Sequence, residues 1–296
     1  MNKTTIVICT ISAILCFILA AGCMTGTPEG QGSRNCPDCR DSCQRTTPSP
    51  TVSITGSPVQ YAEVNGVRLA YREFGSGEPL LLIPGFGATM DIEWNRTFLG
   101  ILASHYHVYI YDNRGMGHSG DNNATPAMSL YSEDAAGLMT ALGYDSMNVY
   151  GVSMGSSIAQ QLVIDHPERV RKLVLDSVTY DVRNPETAGL SSTLQSSAGN
   201  TSLPAGIRRE AEANLAWNGS WDELSGINKS VMLVVGTGDT VTPQAVAVQI
   251  AGQIDGSRLV RFKDLPHVGS HHAPVEYGEN ALDFLCMNES PPYATG

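Results

Sequence analysis

The stretch that decides the fold is Met147-Asn148-Val149-Tyr150-Gly151-Val152-Ser153-Met154-Gly155, followed by Ser156 to Asp165. Residues 147–152 form a short apolar run of strand character, and 156–165 carry apolar positions at helical spacing. Between them Gly151-Val152-Ser153-Met154-Gly155 supplies a Gly-x-Ser-x-Gly turn. In a strand–turn–helix setting this turn forces its central residue into a strained backbone conformation, and the flanking glycines make room for it. The Ser153 side chain is then presented at the C-terminal edge of a sheet. There it stands beside the N-terminus of the next helix, whose unpaired N–H groups favour developing negative charge. Ser153 is therefore the candidate nucleophile.

Outward from this unit the chain alternates between strand and helix patterns. Residues 59–64 and 68–74 alternate around Asn65-Gly66, a strong hairpin turn. Compact apolar strands are predicted over 80–83, 107–111, 147–152, 172–176, 231–235 and 258–262. Helical patterns fall over 130–142, 156–165, 243–254 and 275–287. Such alternation predicts an α/β fold with a mostly parallel, doubly wound sheet and an antiparallel N-terminal hairpin at one edge. A polar insert over about 181–224 contains one helical piece near 208–217. No internal repeat is visible.

Four further segments accompany the serine turn. Pro84-Gly85-Phe86-Gly87 follows the strand at 80–83, and Asp112-Asn113-Arg114-Gly115-Met116-Gly117-His118-Ser119 follows the strand at 107–111. The apolar run 231–235 leads into Gly236-Thr237-Gly238-Asp239, and His267, His271 and His272 crowd one loop after the last strand. With these segments the chain from about 60 to 288 resembles an α/β-hydrolase of the serine-nucleophile branch, similar to esterases and cofactor-free haloperoxidases. The resemblance implies a Ser–acid–His triad in that chain order. Asp239 takes the acid position, with Asp176 as its rival. Asp112 precedes the nucleophile and reads as structural, its carboxylate and the Arg114 guanidinium satisfying loop backbone. The family's spacing of a Glu five residues after the His selects His271, with Glu276 at five; His272 and His267 are the alternatives. The resemblance further implies an oxyanion hole from the backbone N–H groups of Phe86 and Met154, and no metal or organic cofactor.

The expected reaction is cleavage of a small or medium carboxylic ester through an acyl-enzyme. Perhydrolysis of the haloperoxidase kind, amide, lactone or carbon–carbon bond cleavage on the same triad is the alternative, as is a non-catalytic, lipid-anchored binding protein. A serine at the elbow argues against the epoxide-hydrolase and haloalkane-dehalogenase branches, which need a carboxylate nucleophile. The short insert suggests a small cover, with Trp217, Trp221 and Met154 as candidate lining of an apolar pocket.

The termini and composition set the context. Of 296 residues 16% are charged, and 18 Lys and Arg against 29 Asp and Glu leave a net charge of −11. That balance disfavours nucleic acid as a partner, because phosphate contacts need cations. A small-molecule substrate is expected, and the oligomeric state is left open. Residues 6–21 are apolar behind Lys3 and end in Ala20-Ala21-Gly22-Cys23, which resembles a lipoprotein signal with Cys23 as the lipidated residue. The other reading is a retained membrane anchor. Either reading places the protein on the outer face of the cell membrane. The expected organisation is a signal over 1–22, a Gly/Pro/Ser/Thr linker over 23–58, the α/β domain over 59–288 and a tail. Cys36, Cys39 and Cys43 in the linker suit a local disulfide or a metal site, and Asn95, Asn123, Asn200, Asn218, Asn228 and Asn288 open Asn-x-Ser/Thr sequons.

Overall fold

The apolar runs assemble one sheet from β1 (Gln60–Val64), β2 (Val67–Phe74), β3 (Glu78–Ile83), β4 (Tyr106–Tyr111), β5 (Met147–Val152), β6 (Val170–Asp176), β7 (Ser230–Gly236) and β8 (Arg258–Phe262). The structure is a computed structural model and describes residues 52–287. The spatial order is β1-β2-β4-β3-β5-β6-β7-β8. β1 pairs antiparallel with β2, and β2 antiparallel with β4. Every pairing from β4 to β8 is parallel. Parallel strands covered on both faces need apolar residues at every position, not at alternate ones. Leu80, Leu81, Leu82 and Ile83 are all fully buried, which is why β3 reads as an unbroken run.

Among the described residues seven α-helices accompany this sheet: α1 (Arg96–Ala103), α2 (Met128–Ala141), α3 (Met154–Asp165), α4 (Ala188–Gly199), α5 (Ala205–Ala216), α6 (Gln244–Gln253) and α7 (Pro274–Cys286). The pleat sends successive side chains into two cores. Leu81 and Ile83 join residues of α2, α3 and α6 on one face. Leu80 and Leu82 join residues of α1 and α7 on the other.

Two helices depart from the sequence reading. α1 is not anticipated there, although Asn95 caps it by accepting from the Thr97 N–H at 2.8 Å. The insert holds two helices, α4 and α5, where one is expected. α4 is rich in Ser and Gly, and Leu190, Leu194 and Ala198, spaced one turn apart, pack inward with Val182 and Ala211. Periodicity that sparse becomes visible only against a partner helix.

Ile54, placed in the linker by its composition, is buried against the core that contains α1 and α7. The signal, Cys23, the Cys36–Cys43 cluster and the Asn288 sequon lie outside the described residues. Cys286 is disulfide-bonded. Among the described residues no helix is long and apolar enough to cross a membrane.

Candidate active site

Ser153 sits between β5 and α3 with φ 53° and ψ −119°. This left-handed backbone is costly for a residue with a Cβ and persists only where the surroundings impose it. The surroundings are tight. A Cβ on Gly155 would stand 2.1 Å from the Ile83 carbonyl oxygen, and one on Gly151 2.3 Å from the Gly155 oxygen. Only glycines permit this close crossing of β3, β5 and α3. The Ser153 N–H donates to the Asp176 carbonyl at 2.9 Å, tying the turn to the end of β6.

The histidine brought to Ser153 is His267. Its Nε2 lies 2.9 Å from Ser153 Oγ and its Nδ1 2.8 Å from Asp239 Oδ2. With Nδ1–H donating to the carboxylate, Nε2 is free to accept the serine proton. The expectation of His271 is corrected. His271 belongs to a short 3-10 turn (Gly269–His271) leading into α7, and both His271 and His272 are exposed. The loop after β8 folds straight back over the sheet edge, with the Leu265 carbonyl pressed against Gly236 at the end of β7. The Val268 N–H donates to Ser177 Oγ at 3.0 Å and fixes the loop one residue past the imidazole. The available signal was proximity: the first His after the last strand stands nearest the Asp that ends the neighbouring strand.

Asp239, the residue that chain order proposes as the acid, is the carboxylate that meets His267. It is buried and saturated, Oδ1 accepting from the Val241 and Thr242 N–H groups at 2.8 and 2.9 Å. Oδ2 accepts from Thr242 Oγ1 at 2.9 Å as well as from His267. Burial alone would raise its pKa, but the His267 charge and these hydrogen bonds outweigh it and hold the carboxyl below the ordinary range. For His267, burial would lower the pKa. Asp239, with lesser help from Asp176 and Glu93, reverses this and holds the imidazole above its ordinary value.

The rival acid, Asp176, is fully buried but turned elsewhere. It accepts from Tyr150 Oη at 2.8 Å and from Ser177 Oγ at 3.0 Å. Burial pushes it up to about 7. Asp112 is structural, as expected, receiving the Met90 and His118 N–H groups at 2.7 Å each. Arg114 does not satisfy loop backbone. It forms a buried two-point pair with Asp134 at 2.5 and 2.6 Å.

Phe86, Ser153 and Met154 line one narrow cleft with Leu190, Leu194 and Asn214. Leu190 and Leu194 belong to α4 and Asn214 to α5, so the insert roofs the nucleophile. Trp217 does not line the cleft. It is packed into the core, its Nε1–H donating to Gln161 Oε1 at 2.8 Å. Trp221 is exposed against Tyr180. Sequence reasoning missed two buried carboxylates at this site, Glu93 and Glu210. Among the described residues no three His, Cys, Asp or Glu side chains gather as a metal site would require.

Residues 78–198 match the α/β hydrolase fold family. A putative carbamate hydrolase of Azorhizobium caulinodans is 32% identical over 115 residues, 39% of this chain and 43% of that protein. A putative non-heme chloroperoxidase of Synechocystis is 25% identical over 264 residues, covering 74% of this chain and 95% of the relative. The enol-lactonase of Burkholderia xenovorans superposes with a TM-score of 0.63 at 22% identity, over 77% of this chain and all of that one. The matched stretch spans less than half the length of the first curated relatives. The fold is that of the α/β hydrolases.

Proposed function

We propose that this α/β-hydrolase-fold chain is a serine hydrolase acting on a small carboxylic ester, lactone or carbamate, with Ser153, His267 and Asp239 as its triad. One observation carries the reading: a single imidazole within hydrogen-bond reach of both the elbow hydroxyl and a buried carboxylate. As Ser153 Oγ attacks the acyl carbon, His267 Nε2 takes its proton, and Asp239 stabilises the imidazolium that forms. The oxyanion is received by the Phe86 and Met154 N–H groups, the second at an unpaired helix start. His267 then returns the proton to the leaving group, and water activated by the same imidazole releases the acyl-enzyme.

The cleft favours a short acyl group, because Leu190 and Leu194 of the insert close over Ser153 and leave little open volume. An ester is the preferred substrate within this class. Export and tethering through the 6–21 apolar run and Cys23 belong to the same proposal.

The test is labelling of the purified chain by a fluorophosphonate probe, followed by a panel of p-nitrophenyl esters, lactones, carbamates and amides. Labelling abolished by Ser153→Ala, with turnover of short esters, is the expected result. Turnover indifferent to Ser153→Ala sinks the reading, and no labelling with no turnover of any substrate in the panel sinks it in favour of a binding protein. Bromide and peroxide turnover in acetate exceeding ester turnover would favour the haloperoxidase-like alternative, for which the Synechocystis relative is the motive.

A further inference from the structure

The Pro84–Gly87 loop is gripped from two sides by buried acids. Below it the carboxyl of Glu93, 8% exposed, lies against the Gly85 amide. A Cβ built on Gly85 would lie 3.5 Å from Glu93 Oε2 and 3.4 Å from the Ser153 Cβ, so this acid stands close to the nucleophile. From the roof, Glu210 of α5, fully buried, accepts the Gly87 N–H at 2.7 Å and Asn113 Nδ2 at 2.9 Å. Pro84 has no N–H, and the Ala88 N–H turns back to the Gly85 oxygen at 3.3 Å. The Phe86 N–H is the amide of this loop left for a ligand.

We propose that Glu93 and Glu210 are positioning residues for the oxyanion hole: holding the amides on either side of Phe86, they set the peptide so that the Phe86 N–H faces the attacked carbonyl. Because Glu210 comes from α5, the hole is complete only when the two-helix roof is seated. This inference rests on the hydrolase reading above.

A carboxylate beside a developing oxyanion opposes it, so the device works only while both acids are neutral. Burial does this, pushing Glu93 up to about 8 and Glu210 up to about 7. A neutral carboxyl still accepts an N–H through its carbonyl oxygen. The charged or titratable groups facing Glu93 are His267, Asp176 and Glu210; those facing Glu210 are Asp112, Tyr111 and Tyr131. As pH rises through 7 to 8, negative charge appears beside the Phe86 amide. Turnover then falls on the alkaline side, at a pH where a serine hydrolase whose His is already neutral would hold its rate.

The experiment is a kcat–pH profile of the full chain with p-nitrophenyl acetate, for wild type, Glu93→Gln, Glu210→Gln and Glu210→Ala. Glutamine keeps an acceptor oxygen but cannot ionise. Both Gln variants should move the alkaline limb upward by about one pH unit or more. Glu210→Ala should lose about tenfold to a hundredfold in kcat, less than the roughly 10²–10³-fold cost of removing an oxyanion donor outright, with KM within about threefold. Glu210→Gln should recover most of that loss. Alkaline limbs that stay put in both Gln variants overturn the proposal, as does an Ala loss confined to KM. If Glu210→Ala does not fold, the two Gln profiles decide. Turnover that survives Ser153→Ala removes the hydrolase reading and this inference together. Serine-dependent turnover with unmoved limbs removes this inference alone.

Discussion

The sheet and its roof are held by different forces. In the sheet, β3, β5, β6 and β7 bury runs of Leu, Val and Ile on both faces, and helices seal two continuous cores. The roof of α4 and α5 has one small apolar cluster, Val182, Leu194 and Ala211. Beside the apolar anchor of Ala213 in the sheet core, its ties to the body are polar: Glu210 to Gly87 and Asn113, and Arg209 to Asp121 at 3.1 Å. Apolar burial scales with area and is indifferent to pH, whereas a buried carboxyl is sensitive to it. The proposed triad of Ser153, Asp239 and His267 therefore stands on the apolar sheet, and the proposed cover stands on the more adjustable region.

The largest contrast should appear in catalysis. Ser153→Ala and His267→Ala should each lower kcat by about 10⁴-fold or more, while His271→Ala, exposed and outside the triad, should stay within about twofold. Steady-state hydrolysis of p-nitrophenyl acetate decides it, and a His271→Ala loss rivalling that of His267→Ala would overturn the assignment made from geometry.

Next comes stability. Leu82→Ala in the sheet core should cost about 3 kcal/mol in denaturant unfolding, in the usual range for a buried Leu. Leu194→Ala should leave the global midpoint much less affected, yet expose the 188–216 region to limited proteolysis. Equal midpoint losses from both would mean that roof and sheet unfold as one unit.

A pH effect on stability follows from Glu93. Its pKa in the fold, about 8, exceeds the ordinary carboxyl value of 4.5, so the unfolded chain gives up this proton first. Stability from this group is intact below about pH 4.5 and declines as pH rises to about 8. Thermal melts of Glu93→Gln should therefore show a flatter profile across that window than wild type. Parallel profiles would show that Glu93 is charged in the fold.

The smallest effect is expected at Arg183, an exposed partner of Asp181 in the insert at 2.9 Å. Exposed ion pairs contribute little. Arg183→Ala should shift the melting temperature by no more than about 2 °C, a change that high salt reproduces in wild type.

Much of this architecture was legible from local pattern. The inner strands follow from apolar runs, because a sheet covered on both faces leaves no other composition for them, and the hairpin and the serine turn follow from Asn65-Gly66 and Gly151–Gly155. Asp239 was legible too, from its place after β7 and before a helix. α1 was not anticipated, although Asn95 caps it. α4 was not, since two leucines among serines mark a helix only when α5 lies beside them.

The choice among three histidines shows where local reading ends. Spacing to Glu276 favoured His271, but a base is selected by where its ring lies, and the path after β8 is set by Leu265 packing on Gly236. Glu93 and Glu210 make the same point, for each looks like an ordinary surface acid until its neighbours in space are known. Sequence alone determined the strand and helix order and placed the hydroxyl at the elbow, because those depend on residues adjacent along the chain. Tertiary structure alone decided which imidazole meets that hydroxyl and which acids are buried against the loop, because burial and contact belong to segments that come together only on folding.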